Sequence, residues 1–176
     1  MRLKVSLRAL LALGAMAMSG GHGALAQVAG APFDRLLEAR TSEGERLVAI
    51  PIAAGERWCV KWNHSVEHFT VLDCYRNVEG AMQLERSHQP DFAAGLGPTL
   101  GRGVQRSDGE GGYWIEEIDE PVPGNRYFLR VGAPGVDHRL VWQKAGEISE
   151  FNLSAYVPGQ RVTLQLVAPT TASESP

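Results

Sequence analysis

Alternation of apolar and polar positions with a period of two runs through the chain from Leu36 onward, and it is densest over residues 58–75. Successive strand side chains point to opposite faces, so this stretch reads as two strands folded back on each other. A turn centred between Val66 and Glu67 sets Trp58 opposite Tyr75, Val60 opposite Asp73, Trp62 opposite Val71 and His64 opposite Phe69 on one face. Cys59 opposite Cys74, Lys61 opposite Leu72 and Asn63 opposite Thr70 share the other. The first face is strongly apolar, and a slip by one residue would turn every side chain to the wrong side. Val-Glu lacks the Gly or Asn that a two-residue turn wants, so a four-residue loop over residues 65–68 is expected in the same register.

Further short strands are expected at residues 36–40, 46–50, 81–87, 113–118, 127–131, 138–142, 147–153 and 161–167, punctuated by Gly, Pro and Asn turn signals. The strands at 127–131 and 138–142, around the turn Ala133-Pro134-Gly135, resemble a hairpin. Residues 89–112 break the pattern: they are rich in Gly, with Pro, Ser and Asp, and read as a long loop, or two loops around a short element, whose ordered-looking part is 92–98. Long irregular stretches in compact domains are often functional. With no convincing amphipathic helix, the expectation is a single all-β domain: an antiparallel β-sandwich or partly closed barrel of about nine or ten strands.

The N-terminus changes the compartment. Arg2, Lys4 and Arg8 precede an apolar run over residues 9–18, and Ala24-Leu25-Ala26 supplies a small-x-small cleavage site. This is the three-part pattern of a secretory signal peptide. The apolar run is short for a bilayer span of about 20 residues, so cleavage after Ala26 is expected. The division is then a signal peptide at 1–26, a β-domain at 27–167 and a disordered tail at 168–176, in an exported, periplasmic protein with no membrane span after cleavage.

Removing the leader leaves 14 basic against 20 acidic residues, a net charge of −6 where the whole chain has −3. That argues against a nucleic-acid partner, which wants basic patches, and against electrostatic docking to anionic lipid. Two cysteines in an exported chain suggest a disulfide, and the hairpin register sets Cys59 directly across from Cys74. Two cysteines alone do not make a structural zinc site.

Asp73 is the informative residue, because the register puts a carboxylate on the apolar face near His64. A buried charge must be paired or hydrogen-bonded; either Asp73 is structural, bonded to a backbone amide or an Arg, or it forms a functional pair with His64. His138 and Arg139 form a second polar cluster on an otherwise alternating strand, and Arg139 is suited to clamp a carboxylate, either Asp73 or a bound anion. The candidate ligand contacts are His64, Ser65, Glu67, Asp73, His138 and Arg139. Adjacent His64 and Ser65 point to opposite faces of a strand, which works against a nucleophile–base bond. The favoured reading is a binding module that needs neither metal nor cofactor. The alternative is a small periplasmic hydrolase or metal-binding protein using His64, Asp73 and His138.

The elements Trp62-x-His64-Ser65-Val66-Glu67, Asp73-x-Tyr75, Ala94-Gly95-Leu96 and Val136-Asp137-His138-Arg139-Leu140, in that order, resemble the bacterial family of unknown function numbered 1850. The resemblance spans residues 47–167. Members of that family are often encoded beside, or fused to, membrane subunits of tripartite periplasmic (TRAP) transporters of the TAXI kind. The resemblance therefore implies an accessory role in solute uptake, with TRAP-type transporter subunits or a small anionic solute as partner.

Overall fold

The period-two segments all become strands, and they do so in antiparallel pairs closed by turns that the local residues permit. The computed structural model describes residues 33–90 and 102–169. Among the described residues, twelve strands run in chain order: β1 Arg35–Thr41, β2 Arg46–Ile52, β3 Arg57–Asn63, β4 Thr70–Val78, β5 Ala81–Gln89, β6 Val104–Ser107, β7 Tyr113–Glu116, β8 Glu120–Pro121, β9 Arg126–Arg130, β10 Arg139–Lys144, β11 Glu147–Asn152 and β12 Arg161–Val167. A one-turn helix, α1, spans Leu153–Tyr156 and is capped by the Asn152 side chain, which accepts from Ala155 N. The expected leader and the stretch at 92–98 lie outside the described residues.

Two of the hairpins turn on adjacent residues with positive φ. Glu79 (51°) and Gly80 (87°) join β4 to β5; Ala145 (50°) and Gly146 (87°) join β10 to β11. Turns of this hand match the right-handed twist of the strands they connect. Asn77 steadies the first by accepting from Gly80 N at 2.8 Å.

The strands form two antiparallel sheets. The small one has the order β2-β1-β12-β9; the large one has the order β11-β10-β3-β4-β5-β7-β6, with β8 also paired to β5. Their facing sides share one core. Leu37, Ala39, Ile50, Ile52, Val162, Leu164 and Leu166 come from the small sheet, and Trp58, Val60, Tyr75, Met82, Leu84 and Leu140 from the large. Tyr75 and Tyr127 stack across the layers with ring centroids 5.1 Å apart. The arrangement is the expected β-sandwich, and among the described residues neither sheet closes into a barrel.

One expectation is corrected, and one open alternative is decided. The strands at 127–131 and 138–142 do not make a hairpin, because β9 pairs with β12 in the small sheet while β10 pairs with β3 in the large. Val131, buried to 1 % exposure, drops into the core between the layers and takes the chain across. Gly132 then lies so close to Val136 that a side chain there would collide with it. Within the expected loop 89–112, residues 104–107 form β6, paired to β7. All four of its residues are exposed, so neither face carries an apolar signal and only the pairing defines the strand.

Candidate functional site

The central hairpin folds in the expected register, with Trp58 opposite Tyr75, Cys59 opposite Cys74, Val60 opposite Asp73 and Asn63 opposite Thr70. Cys59 and Cys74 are joined by a disulfide. The tip is held by its own histidine. His64 N donates to Phe69 O at 2.8 Å and His68 N to His64 O at 3.0 Å. The His64 ring accepts at Nδ1 from Glu67 N at 3.1 Å and from Val66 N at 3.4 Å, and it stacks on Phe69 at 5.0 Å. These bonds fix a four-residue loop whose Ser65, Val66, Glu67 and His68 side chains face solvent.

A second loop, residues 132–138, docks beside the tip because β10 pairs with β3. Asn63 N donates to Val136 O at 2.7 Å. His138 is buried and stacks on Trp62 at 5.9 Å. Its Nδ1 accepts from Gly132 N at 2.8 Å, and its own N–H donates to Ser154 Oγ at 2.9 Å. Burial pushes the imidazole below its usual pKa, with Asp137 pulling the other way. The His64–Glu67 and Val136–Leu140 segments, far apart in the sequence, therefore meet at one end of the large sheet.

The other expected pairings are not made. Asp73 and His64 share the inner face, but Trp62 and Val71 lie between them, which sets them about 13 Å apart along the strand. Arg139 lies opposite Lys61 on the outer face of the sheet, while Asp73 lies opposite Val60 on the inner. Arg139 instead pairs with Asp137 at 2.8 Å and with Glu150. The pleat decides this: one residue of offset between the two positions sends their side chains to opposite faces. His64, Asp73 and His138 are each taken up by separate structural bonds. Among the described residues, no three His, Cys, Asp or Glu side chains converge as metal ligands.

Asp73 is held by Ser87, whose Oγ donates to Asp73 Oδ1 at 2.6 Å. Burial raises its pKa, against the opposing pull of the Ser87 bond and of Arg102. A carboxyl whose folded pKa lies above its unfolded value of 3.8 is favoured by folding in its protonated form. Its contribution is fully present below that unfolded value and is lost as pH rises through the folded value. Asp73→Asn keeps an acceptor for Ser87 and removes the buried charge. It is therefore expected to raise stability at neutral pH and to leave it unchanged at pH 3. Urea midpoints at the two pH values check both halves.

Several features escape a linear reading. His88 Nε2 lies 2.7 Å from Asp108 Oδ2, and Asp108 Oδ1 accepts from Glu110 N and Gly112 N. The pair locks the β6–β7 turn onto β5. A groove of about 620 Å³ on the outer face of the large sheet is lined by Arg57, Arg76 and Arg86 against Glu85, Glu116, Glu117 and Asp119. Its charges largely pair among themselves: Arg57 and Arg76 both reach Glu85, at 2.6 and 3.2 Å. The outer face of the small sheet is different, because arginines outnumber carboxylates there. No short motif marks that face; only the strand order assembles it.

The family described as a domain of unknown function (DUF1850) matches over residues 59–147, half of the chain. That span runs from β3 to the first residue of β11 and contains both loops at the shared end of the large sheet. No curated protein and no solved structure matches the chain.

Proposed function

The chain belongs to the DUF1850 family, and we propose that it is an exported binding or accessory module of a TRAP-type solute uptake system. It docks through the end of the large sheet where residues 64–68 and 132–138 meet. The observation that carries this is the hairpin tip. His64 spends its ring nitrogen on the loop's own amides, so the loop is ordered before any partner arrives. Preorganisation of this kind lowers the entropic cost of association. The tip also exposes a large apolar side chain, Val66, at 69 %, next to Ser65 and Glu67. An apolar centre with a polar rim is the usual anatomy of a protein contact. His138 backs the tip through its stacking on Trp62, while Asp73 and Arg139 are held away from it, by Ser87 and by Asp137 with Glu150.

Biolayer interferometry tests this, with the mature protein immobilised and the membrane subunit of a TRAP transporter from the same organism in solution. Val66→Asp with Glu67→Lys is expected to weaken binding at least tenfold, about 1.4 kcal/mol, without changing the melting temperature. Binding that ignores both substitutions, or no binding by the unaltered protein, overturns the proposal.

A further inference from the structure

We propose that the groove on the outer face of the small sheet binds a small organic polyanion, one carrying two or more carboxylate or phosphoryl groups. The groove, of about 330 Å³, is lined by Arg40, Arg126 and Arg161 together with Ser42, Thr163 and Gln165. The register explains how these distant residues converge: Gln165 lies between Arg126 and Glu38, and Thr163 between Phe128 and Arg40. With Arg46 beside Arg40 and Arg130 beside Arg161, the face carries five arginines and one glutamate.

That glutamate is already used. Glu38, buried to 4 % exposure, accepts from Arg40 at 2.7 Å, Arg46 at 3.2 Å and Gln165 at 3.1 Å. Among the described residues, Arg126, Arg130 and Arg161 have no carboxylate partner; Arg161 only lies over the Phe128 ring, at 5.7 Å. Glu43 and Glu45 of the nearby turn line a different groove, with Leu47 and Tyr156.

Cationic side chains on an edge strand serve to block edge-to-edge pairing, and β9 is an edge strand. That accounts for Arg126 and Arg130 but not for Arg161, which sits on β12, inside the sheet. Arg161 is directly opposite Arg130. Like charges in that position are destabilising, and a bound anion relieves them. The guanidinium forks match carboxylate and phosphoryl oxygens in bidentate fashion, and the hydroxyls of Ser42 and Thr163 add neutral donors. The concave shape favours a small molecule over a flat surface, and the exposed Phe128 ring adjoins the site as an apolar flank for a carbon skeleton.

Isothermal titration calorimetry with citrate and with pyrophosphate tests the inference and separates the two oxyanion chemistries. Saturable 1:1 binding of at least one probe is expected, persisting at physiological salt. Arg126→Ala with Arg161→Ala should weaken it at least tenfold and leave the melting temperature unchanged. Arg57→Ala, on the other sheet, should leave binding intact. Failure of both probes to saturate, or binding indifferent to the Arg126 and Arg161 substitutions, overturns the proposal. So does binding seen only with phosphatidylglycerol vesicles, which would make the face a membrane contact.

Discussion

Replacing Cys59 and Cys74 together by alanine is expected to cost about 3 kcal/mol, the value for closing a loop of about 15 residues in the chain-entropy account. The bond joins residues 15 apart, directly opposite on β3 and β4. Those strands are also flanked by β10 and β5, so the folded ladder does not depend on the bridge. The loss falls mainly on the unfolded chain, which regains the freedom that the cross-link removed. Urea denaturation of the double variant should show a lower midpoint, and treating the unaltered protein with reductant should reproduce it. A difference below about 1 kcal/mol would mean that the denatured hairpin already stays closed, contrary to the entropic account.

His138→Ala is expected to cost about 2–3 kcal/mol at pH 7. The imidazole is the acceptor for Gly132 N–H at 2.8 Å, and a buried donor left unsatisfied costs about 1–3 kcal/mol. The lost stacking on Trp62 adds to this. The change also alters the pH profile. Burial holds the folded pKa of His138 below the value of 6.5 that it has when unfolded. Protons then bind the unfolded chain preferentially, so the histidine's contribution is complete above about pH 6.5 and falls as pH drops from there towards the folded value. Subtracting the His138→Ala profile from that of the unaltered protein isolates this slope, because Asp73 titrates identically in both. A difference that stays flat from pH 7 to pH 5 would show that the folded and unfolded chains bind the His138 proton equally, contrary to an imidazole depressed by burial.

The paired roles of His138 and Asp73 show how far residue-level reading reached. A polar residue on an alternating apolar face marks a point where burial must be offset, and both residues are half-buried or buried and hydrogen-bonded. Which partner does the offsetting was not legible. Asp73 takes Ser87 from β5, a strand outside the central hairpin. Arg139 takes Asp137 and Glu150, because its pleat position turns it away from the core. His88 and Asp108, 20 residues apart in a stretch without period, gave no sequence signal before the β6–β7 hairpin folded back on β5.

The sequence by itself determined the class of the fold, most of its strands and the register of the central hairpin. A period of two with an apolar face admits one register, and the two cysteines agree with it. It also marked where several strands end, since Gly stands in the positive-φ pair that joins β4 to β5 and β10 to β11. The tertiary structure alone decided which sheet each strand joined. β9 and β10 are neighbours in the chain but lie in different layers, because the alternation of a strand says which face is buried and not which strand lies beside it. It alone also decided where charge gathers. The net charge is a sum over the chain, whereas Arg40, Arg126 and Arg161 form one cationic groove only because β1, β12 and β9 lie side by side.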